Sequence, residues 1–487
     1  MTIRPERNIR FLTIVHIISI MLLLEALLMA ISTGVAAILG TEDIAALALS
    51  TSITAATGII LRLIYFQKHI TLDKRTGYLA VALIWIIVPV FGTLPFVFGG
   101  YISSYTDIFF ETVSGFTTTG ATILDQIEAL PKGILFWRSI IQWIGGIGIV
   151  VVVVSLIQIE GGGAISLFSA EMVGPDKGKI TPNTKATGRI LVMIYSGLTL
   201  LCALSYWIGG MSVYDAFCHS FTTVSSGGFS TKDASASAFS IPIQYLMMIF
   251  MIPAGTNFIL MYNILKGRFS RVRRNEEFRL YLFIIIFVSL FVAAFIYTPT
   301  MGLERTLREA FFQVISIITT TGYTNADYGF WATPAVFMLF VLMFMGAMSG
   351  STSGGLKLIR TIVLFKNSRN ITKATLHNKA VLPLKIEKHI LPYSVIYNVL
   401  AVFLLYIAVF VVATLLLIFF GLTFEEALEG CLSCLGCVGP IYVQSETYST
   451  FSTFPDVAKW IFSALMYLGR LEIITVFAIF VPSFWKR

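Results

Sequence analysis

The stretch "DIFFETVSGFTTTG" (107–120) decides how this chain is read, because it occurs four times. It aligns without gaps with "DAFCHSFTTVSSGG" (215–228), "EAFFQVISIITTTG" (309–322) and "EALEGCLSCLGCVG" (426–439). Each copy opens on an acid, namely Asp107, Asp215, Glu309 and Glu426, and closes on a glycine, Gly120, Gly228, Gly322 and Gly439. Each lies between two long apolar segments. Self-similarity at this scale marks an internally repeated architecture.

The apolar segments define the solvent. The chain has 487 residues, of which 56% are hydrophobic and 12% charged, with a mean hydropathy of +0.85. An ordinary soluble domain carries about 25% charged residues. Segments near 10–34, 43–64, 77–98, 135–158, 188–208, 240–265, 278–298, 333–365, 391–420 and 456–483 approach or exceed the roughly 20 apolar residues that a bilayer requires. The expectation is an all-α membrane protein with ten transmembrane helices. The first apolar run exceeds the roughly 7–15 residues of a signal peptide and ends in no cleavage site, so it reads as a retained helix.

Basic residues concentrate in every second connection: "RPERNIR", "RLIYFQKHITLDKR", "GPDKGKITPNTKATGR", "KGRFSRVRRNEEFR", "KNSRNITKATLHNKAVLPLKIEKH" and the terminal "FWKR". Intervening connections such as "GTEDIAA" are not basic. The positive-inside rule then puts both termini in the cytoplasm. The net charge of +8 follows from this topology. It does not indicate nucleic-acid binding, because the charge is spread over several membrane-edge loops. The organisation expected is an N-terminal two-helix domain (1–75) followed by pore repeats at 76–187, 188–275, 276–385 and 386–487.

Each repeated segment has a physical reading. About ten residues after the acid suit a short helix that enters the membrane without crossing it. The acid suits the positive end of its dipole. The Thr/Ser/Gly run that follows is non-helical backbone at membrane depth, which is tolerated where it lines a cavity or is buried in protein. Glycine permits the backbone angles that turn carbonyls inward. Four such segments in pseudo-four-fold arrangement make a ring of carbonyls able to replace an ion's hydration shell. Glu111, His219 and Gln313 lie at matching places inside these helices, with Gly430 in the fourth, and read as braces for the ring.

Two further features lie in the membrane. The eighth segment is interrupted by "GAMSGSTSGG" (346–355), rich in glycine and hydroxyl residues. A helix loses roughly 1 kcal/mol per glycine relative to alanine, so a loop in mid-membrane is expected. The other reading is small-residue helix packing. Arg470 lies near the middle of the last span, where an arginine costs at least about 2.5–3.5 kcal/mol. It faces a cavity or a partner. Glu472 follows, and Glu25 lies in the first span.

At these residues the chain resembles the Trk/Ktr/HKT superfamily of potassium transporters, in particular its TrkH-type subunits. The resemblance covers essentially the whole chain. It rests on the four segments, on "FWRSIIQWIGGIGIVV" (136–151), on "GAMSGSTSGGLKLIR" (346–360) and on "YLGRLEIITVF" (467–477). It implies an ion filter of main-chain carbonyls at Thr118, Thr119 and Gly120; Ser226, Gly227 and Gly228; Thr320, Thr321 and Gly322; and Cys437, Val438 and Gly439. It implies a gate made of Gly346, Ser349, Gly350, Ser351, Thr352, Ser353, Gly354 and Gly355 together with Arg470, whose charge opposes cation passage. The alternative role for Arg470 is a buried ion pair. Potassium is implied as the substrate and as the metal held at the filter, with no other cofactor. A homodimer in the bacterial inner membrane and a cytosolic nucleotide-binding regulatory ring (TrkA-like) are implied as partners, docked on basic loops around 266–279 and 366–389.

Two rival functions follow from other features. Cys431, Cys434 and Cys437 form C-x2-C-x2-C, which suggests a metal or iron–sulfur enzyme, but the bacterial cluster run needs a fourth cysteine. Read in register with the repeat they are small buried hydrophobes, and no transition-metal site or enzyme is expected. An ion-coupled symporter, driven by protons or sodium, is the second rival. Such carriers place ionisable groups at the midplane, where Arg470 is the clearest charge.

Overall fold

The computed structural model describes residues 5–65, 70–71, 74–148, 159–160, 184–377, 382–387, 389–441, 450–471 and 473–485. The chain is mostly helical. Among the described residues, two ladders of two-residue strands depart from the all-α expectation: Ile70–Thr71 with Ile159–Glu160, and Lys385–Ile386 with His389–Ile390.

A hairpin of α1 (Pro5–Leu39) and α2 (Ile44–Ile64) comes first. Its buried Ser19, Ser32 and Ser50 turn back onto their own helices, as with Ser50 to the Ala46 carbonyl at 2.7 Å, while Thr54 reaches across to Met29 Sδ. That is how a hydroxyl survives in an apolar span. At the turn, buried Asp43 accepts from Thr41 Oγ1 and from the backbone N–H of Ile134, both at 2.6 Å. This staples the hairpin to a helix of the first repeat.

The repeats follow. The first holds α3 (Lys74–Gly92), α4 (Leu94–Gly99), the short α5 (Tyr105–Phe116) and α6 (Lys132–Gly146). The second holds α7 (Thr184–Ile208), short α8 (Val213–Val224), α9 (Ile241–Ala254), α10 (Phe258–Leu265) and α11 (Phe269–Arg274). The third holds α12 (Glu276–Ile296), short α13 (Leu303–Ile318), α14 (Thr333–Met345) and α15 (Leu358–Leu376). The fourth holds α16 (Tyr393–Phe419), short α17 (Phe424–Gly436), α18 (Asp456–Arg470), α19 (Ile473–Phe480) and α20 (Pro482–Trp485).

Six of these elements are long and apolar enough to cross a membrane, or eight if each bent pair counts as one span. The segments read at 135–158 and 333–365 are present as α6 and α14, which stop short of a full span; residues 149–158 lie outside the described residues. The helices that follow each short helix all break at a similar distance from it. Helix α6 ends at Gly146, α14 at Met345 and α18 at Arg470, while α9 and α10 meet at a bend of 102°. Pro253 weakens the last turn of α9. Asn257 then starts α10 by accepting from Ile259 N and Leu260 N.

Three short helices begin with their acid in the first turn. Asp215 bonds Ser212, and Glu426 forms a capping box with Thr423. The third differs: α13 begins at Leu303, so Glu309 lies in its second turn and pairs with Arg305 at 2.7 Å. Each short helix packs against the later helix of the preceding repeat: α5 on α18, α8 on α6, α13 on α9 and α17 on α14. The contacts therefore run in one direction around a closed ring.

Candidate ion pathway

The four short helices end in the same way. Thr118, Ser226, Thr320 and Cys437 are all left-handed, with φ of 55°, 56°, 55° and 51°. The next residue's N–H returns to the carbonyl five residues earlier: Thr119 to Ser114, Gly227 to Thr222, Thr321 to Ser316, and Val438 to Ser433, at 2.8–2.9 Å. This is a Schellman ending, which usually places glycine in the left-handed position. Here each such residue carries a side chain instead, at a cost of roughly 1–2 kcal/mol.

Two residues on, Gly120, Gly228, Gly322 and Gly439 again have positive φ. Each packs against the main chain of another segment. A Cβ on Gly120 would run into the carbonyl oxygen of Gly227, one on Gly228 into that of Thr321, and one on Gly322 into that of Val438; one on Gly439 would lie 2.6 Å from that of Thr119. The four strands thus close head to tail. Thr119, Ser226 and Thr321 are completely buried, whereas Gly120, Gly228 and Gly322 are half-buried. Among the described residues, the only carbonyl of these four triplets that accepts a hydrogen bond is that of Gly227, from Gln142 Nε2 at 2.7 Å.

A second layer fixes the strands. Glu111 is buried and accepts from Arg138 Nε at 2.6 Å, Thr122 Oγ1 at 3.0 Å and Ile123 N at 3.0 Å. Arg138 lies over the Phe229 ring and donates to the Ser230 carbonyl, so it ties the first strand to the second. His219 bonds Ser230 Oγ at 3.0 Å, and Gln313 donates to Asn325 at 3.2 Å. Gly430 lies against the Phe462 ring. Gln142 holds both Gly227 O and Phe229 N. Sequence reading passed over Arg138 and Gln142. The signal available was polar residues inside an apolar, glycine-rich helix, "FWRSIIQWIGG" (136–146).

The loop between α14 and α15 lies against the left-handed residues. Thr352 Oγ1 meets Ser226 Oγ at 2.7 Å, and Gly354 N donates to Thr320 Oγ1 at 2.7 Å. Gly354 also packs on Gly436 O and the Cys437 Cβ. Thr118 Oγ1 is the exception: it is buried with no hydrogen-bond partner among the described residues. Ser351 Oγ and Ser353 Oγ are 2.8 Å apart, and the Lys357 amine is bonded to the Ser353 carbonyl. Gly346 and Gly355 close the base of the loop on each other. Both sides of that base converge on one carboxylate: Glu277 Oε1 accepts from Ser349 N at 2.8 Å and Ile359 N at 3.1 Å. Lys357 and Arg360 are buried here, so their stems do not carry the charges out to the membrane edge.

Arg470 bridges the loop to the first repeat. It donates to Thr352 O at 2.8 Å, Gly145 O at 2.6 Å and Gly146 O at 3.0 Å. Glu472 lies outside the described residues. A cavity of about 100 Å3 borders the loop and is lined by Lys357, Arg360, Arg470, Tyr195 and Tyr406 among others, with no acidic residue among the described residues of its wall.

A family model for TrkH, described as a cation transport protein, matches residues 48–487. The chain belongs to the TrkH family. It is 38% identical over 426 residues to the Trk system potassium uptake protein TrkH of Escherichia coli, covering 85% of this chain and 87% of that one. It is 32% identical over 481 residues to the Trk system potassium uptake protein TrkI of Halomonas elongata, covering 98% of each. The crystal structure of the potassium transporter TrkH from Vibrio parahaemolyticus superposes with a TM-score of 0.88 at 32% identity, over 98% of this chain and all of that one.

The three clustered cysteines belong to the fourth short helix and its end. All are buried thiols; Cys431 Sγ approaches Phe410 O at 3.5 Å and Cys437 Sγ approaches Met466 O at 3.8 Å. Among the described residues no group of three or more His, Cys, Asp or Glu is arranged to hold a metal. Glu25 is buried in α1, and neither of its oxygens has a hydrogen-bond partner among the described residues.

Proposed function

We infer that this chain takes potassium into a bacterial cell through a single pore, with main-chain carbonyls of Thr118–Gly120, Ser226–Gly228, Thr320–Gly322 and Cys437–Gly439 as its filter. The observation that carries this is the ring of carbonyls, which among the described residues has no protein donor beyond Gln142. A buried carbonyl without a partner costs free energy, and a dehydrated cation is the partner that such a ring suits. The head-to-tail glycine contacts support a pseudo-four-fold arrangement of four pore repeats, within ten membrane helices and behind the N-terminal pair. The relatives named for potassium uptake supply the ion.

The loop from Gly346 to Gly355 and Arg470 form the gate in this reading. The loop touches three of the four strand bases, and three basic side chains line the cavity on its side. A fixed positive charge in a narrow, poorly hydrated path raises the energy of a passing cation. The chain is read as a multi-pass protein of the inner membrane with cytoplasmic termini. It pairs with a second copy and with a cytosolic nucleotide-binding ring.

Rubidium uptake into vesicles reconstituted with the protein tests the reading, with and without an imposed membrane potential, against Gly120→Ser. Uptake that follows the potential and shifts its potassium-over-sodium preference in Gly120→Ser is expected. Uptake that instead requires a proton or sodium gradient at zero potential would replace the pore with symport.

A further inference from the structure

Beside the loop lies a cleft of about 1170 Å3 whose wall includes Arg271, Arg273, Arg274, Arg279, His389 and Asn257. Among the described residues none of the four arginines has an ion-pair partner. Of the two acids in the wall, Glu276 pairs with Lys366, and Glu387 accepts at 2.5 Å from Asn275, which lines the same wall, so four arginines face two carboxylates. The cleft therefore presents guanidinium groups to whatever enters it. Phe269, which lines the cleft, is 64% exposed, and Leu265, four residues before it in the chain, is 72% exposed. Exposed apolar side chains interleaved with arginines at a membrane edge match an amphiphile with an anionic head. Positive-inside topology accounts for basic residues in this segment, but not for a cleft that gathers four of them and also reaches an asparagine in contact with the loop.

That asparagine sits at one end of α10. Asn257 Nδ2 donates to Ser349 O at 2.6 Å and Phe258 N donates to Gly350 O at 3.1 Å, so the first residues of α10 grip the loop. The far end of α10 is Leu265, roughly 12 Å away at 1.5 Å per residue, and it runs into the arginine segment. We propose that the cleft binds the phosphate headgroup of an anionic phospholipid, with Leu265 and Phe269 against its acyl chains, and that α10 passes headgroup binding on to the loop. The second half rests on the reading of the loop as a gate.

The test has two readouts. The purified full chain is offered phosphatidylglycerol and phosphatidylcholine, and the retained lipid is counted by native mass spectrometry. Each arginine near an anionic surface is worth about five-fold in affinity, so Arg271→Gln/Arg273→Gln/Arg274→Gln is expected to lose phosphatidylglycerol by about 100-fold. Equal retention of the two lipids, or unchanged retention in the triple variant, overturns the site. Rubidium flux is then compared in phosphatidylcholine vesicles with and without about one quarter phosphatidylglycerol. Flux is expected to differ for the unmodified chain and not for the triple variant. Inorganic phosphate added to pure phosphatidylcholine vesicles is expected to leave flux unchanged; a response equal to that of phosphatidylglycerol would overturn the lipid assignment in favour of a soluble anion. Retention of lipid without any change in flux, in preparations where Arg470→Ala still raises flux, overturns the coupling and leaves the pore reading intact.

Discussion

Thr352 and Arg470 are joined by one hydrogen bond, from the guanidinium to the loop carbonyl at 2.8 Å, while the same threonine's hydroxyl reaches Ser226 at 2.7 Å. One loop residue thus spans the strand that ends the second short helix and helix α18. Arg470→Ala removes three hydrogen bonds to main-chain carbonyls and a positive charge together. Hydrogen bonds to charged groups are worth about 1.5–3 kcal/mol each, so basal rubidium flux is expected to rise by about ten-fold or more. Arg470→Lys keeps the charge but replaces a fork of donors by a point charge. It is expected to give an intermediate flux. Equal flux in all three proteins would remove Arg470 from the gate.

Thr352→Val keeps the loop's shape and deletes its hydroxyl, which also donates to the carbonyls of Val224 or Ala254. Basal flux is expected to rise with the potassium-to-sodium permeability ratio unchanged. A changed ratio would make the loop part of the filter.

Gly228→Ala adds a methyl group where the Thr321 carbonyl already lies, at a φ of 72°. Gly210→Ala is its control, since Gly210 has a φ of 106° with nothing within 4 Å of its added methyl. Both carry backbone strain of roughly 1–2 kcal/mol. Only Gly228→Ala is expected to abolish flux or selectivity. If the two behave alike, the crowding between strands is not what matters.

Gln142→Leu leaves the Phe229 N–H without its acceptor and frees the Gly227 carbonyl. An unsatisfied buried donor costs about 1–3 kcal/mol. A lower thermal midpoint and weakened discrimination among potassium, rubidium and sodium are expected, with the gate's response to Arg470→Ala preserved. Unaltered ion preference would confine Gln142 to a structural part.

Arg138→Met breaks the buried pair with Glu111 and leaves its carboxylate unpaired. Removing one partner of such a pair destabilises by about 3–5 kcal/mol. The thermal midpoint is expected to fall steeply, and Glu111→Gln/Arg138→Met should recover part of the loss because no charge is stranded. No recovery in the double variant would mean that the packing of Arg138 on Phe229 carries the stabilisation.

What the sequence made legible was whatever repeats or carries an unusual composition. Four registered acids and glycines located the short helices, and a cluster of glycines and hydroxyls located the break before Leu358. The breaks after α6, α9 and α18 were hidden, because two glycines, a proline or an arginine in an apolar run look like tolerated exceptions. The left-handed residues were hidden for a related reason: Thr118, Ser226, Thr320 and Cys437 are not glycines, and only the surrounding contacts force their angles. Pairings such as Gln142 with Gly227, or Glu277 with both sides of the loop, join residues 85, 72 and 82 positions apart. No local periodicity encodes them.

The head-to-tail contacts between strands are made by glycine hydrogens and carbonyl oxygens, groups that every residue's main chain supplies in nearly the same form. A joint of that kind places little demand on the side chains beside it. Threonine, serine and cysteine can therefore stand at equivalent places, and the four quarters of one chain are free to drift apart in sequence while keeping a common backbone path. A ring assembled from identical subunits must change all its quarters at once. Here each quarter is open to separate adjustment, and three have acquired individual ties to the loop that the fourth, at Thr118, lacks.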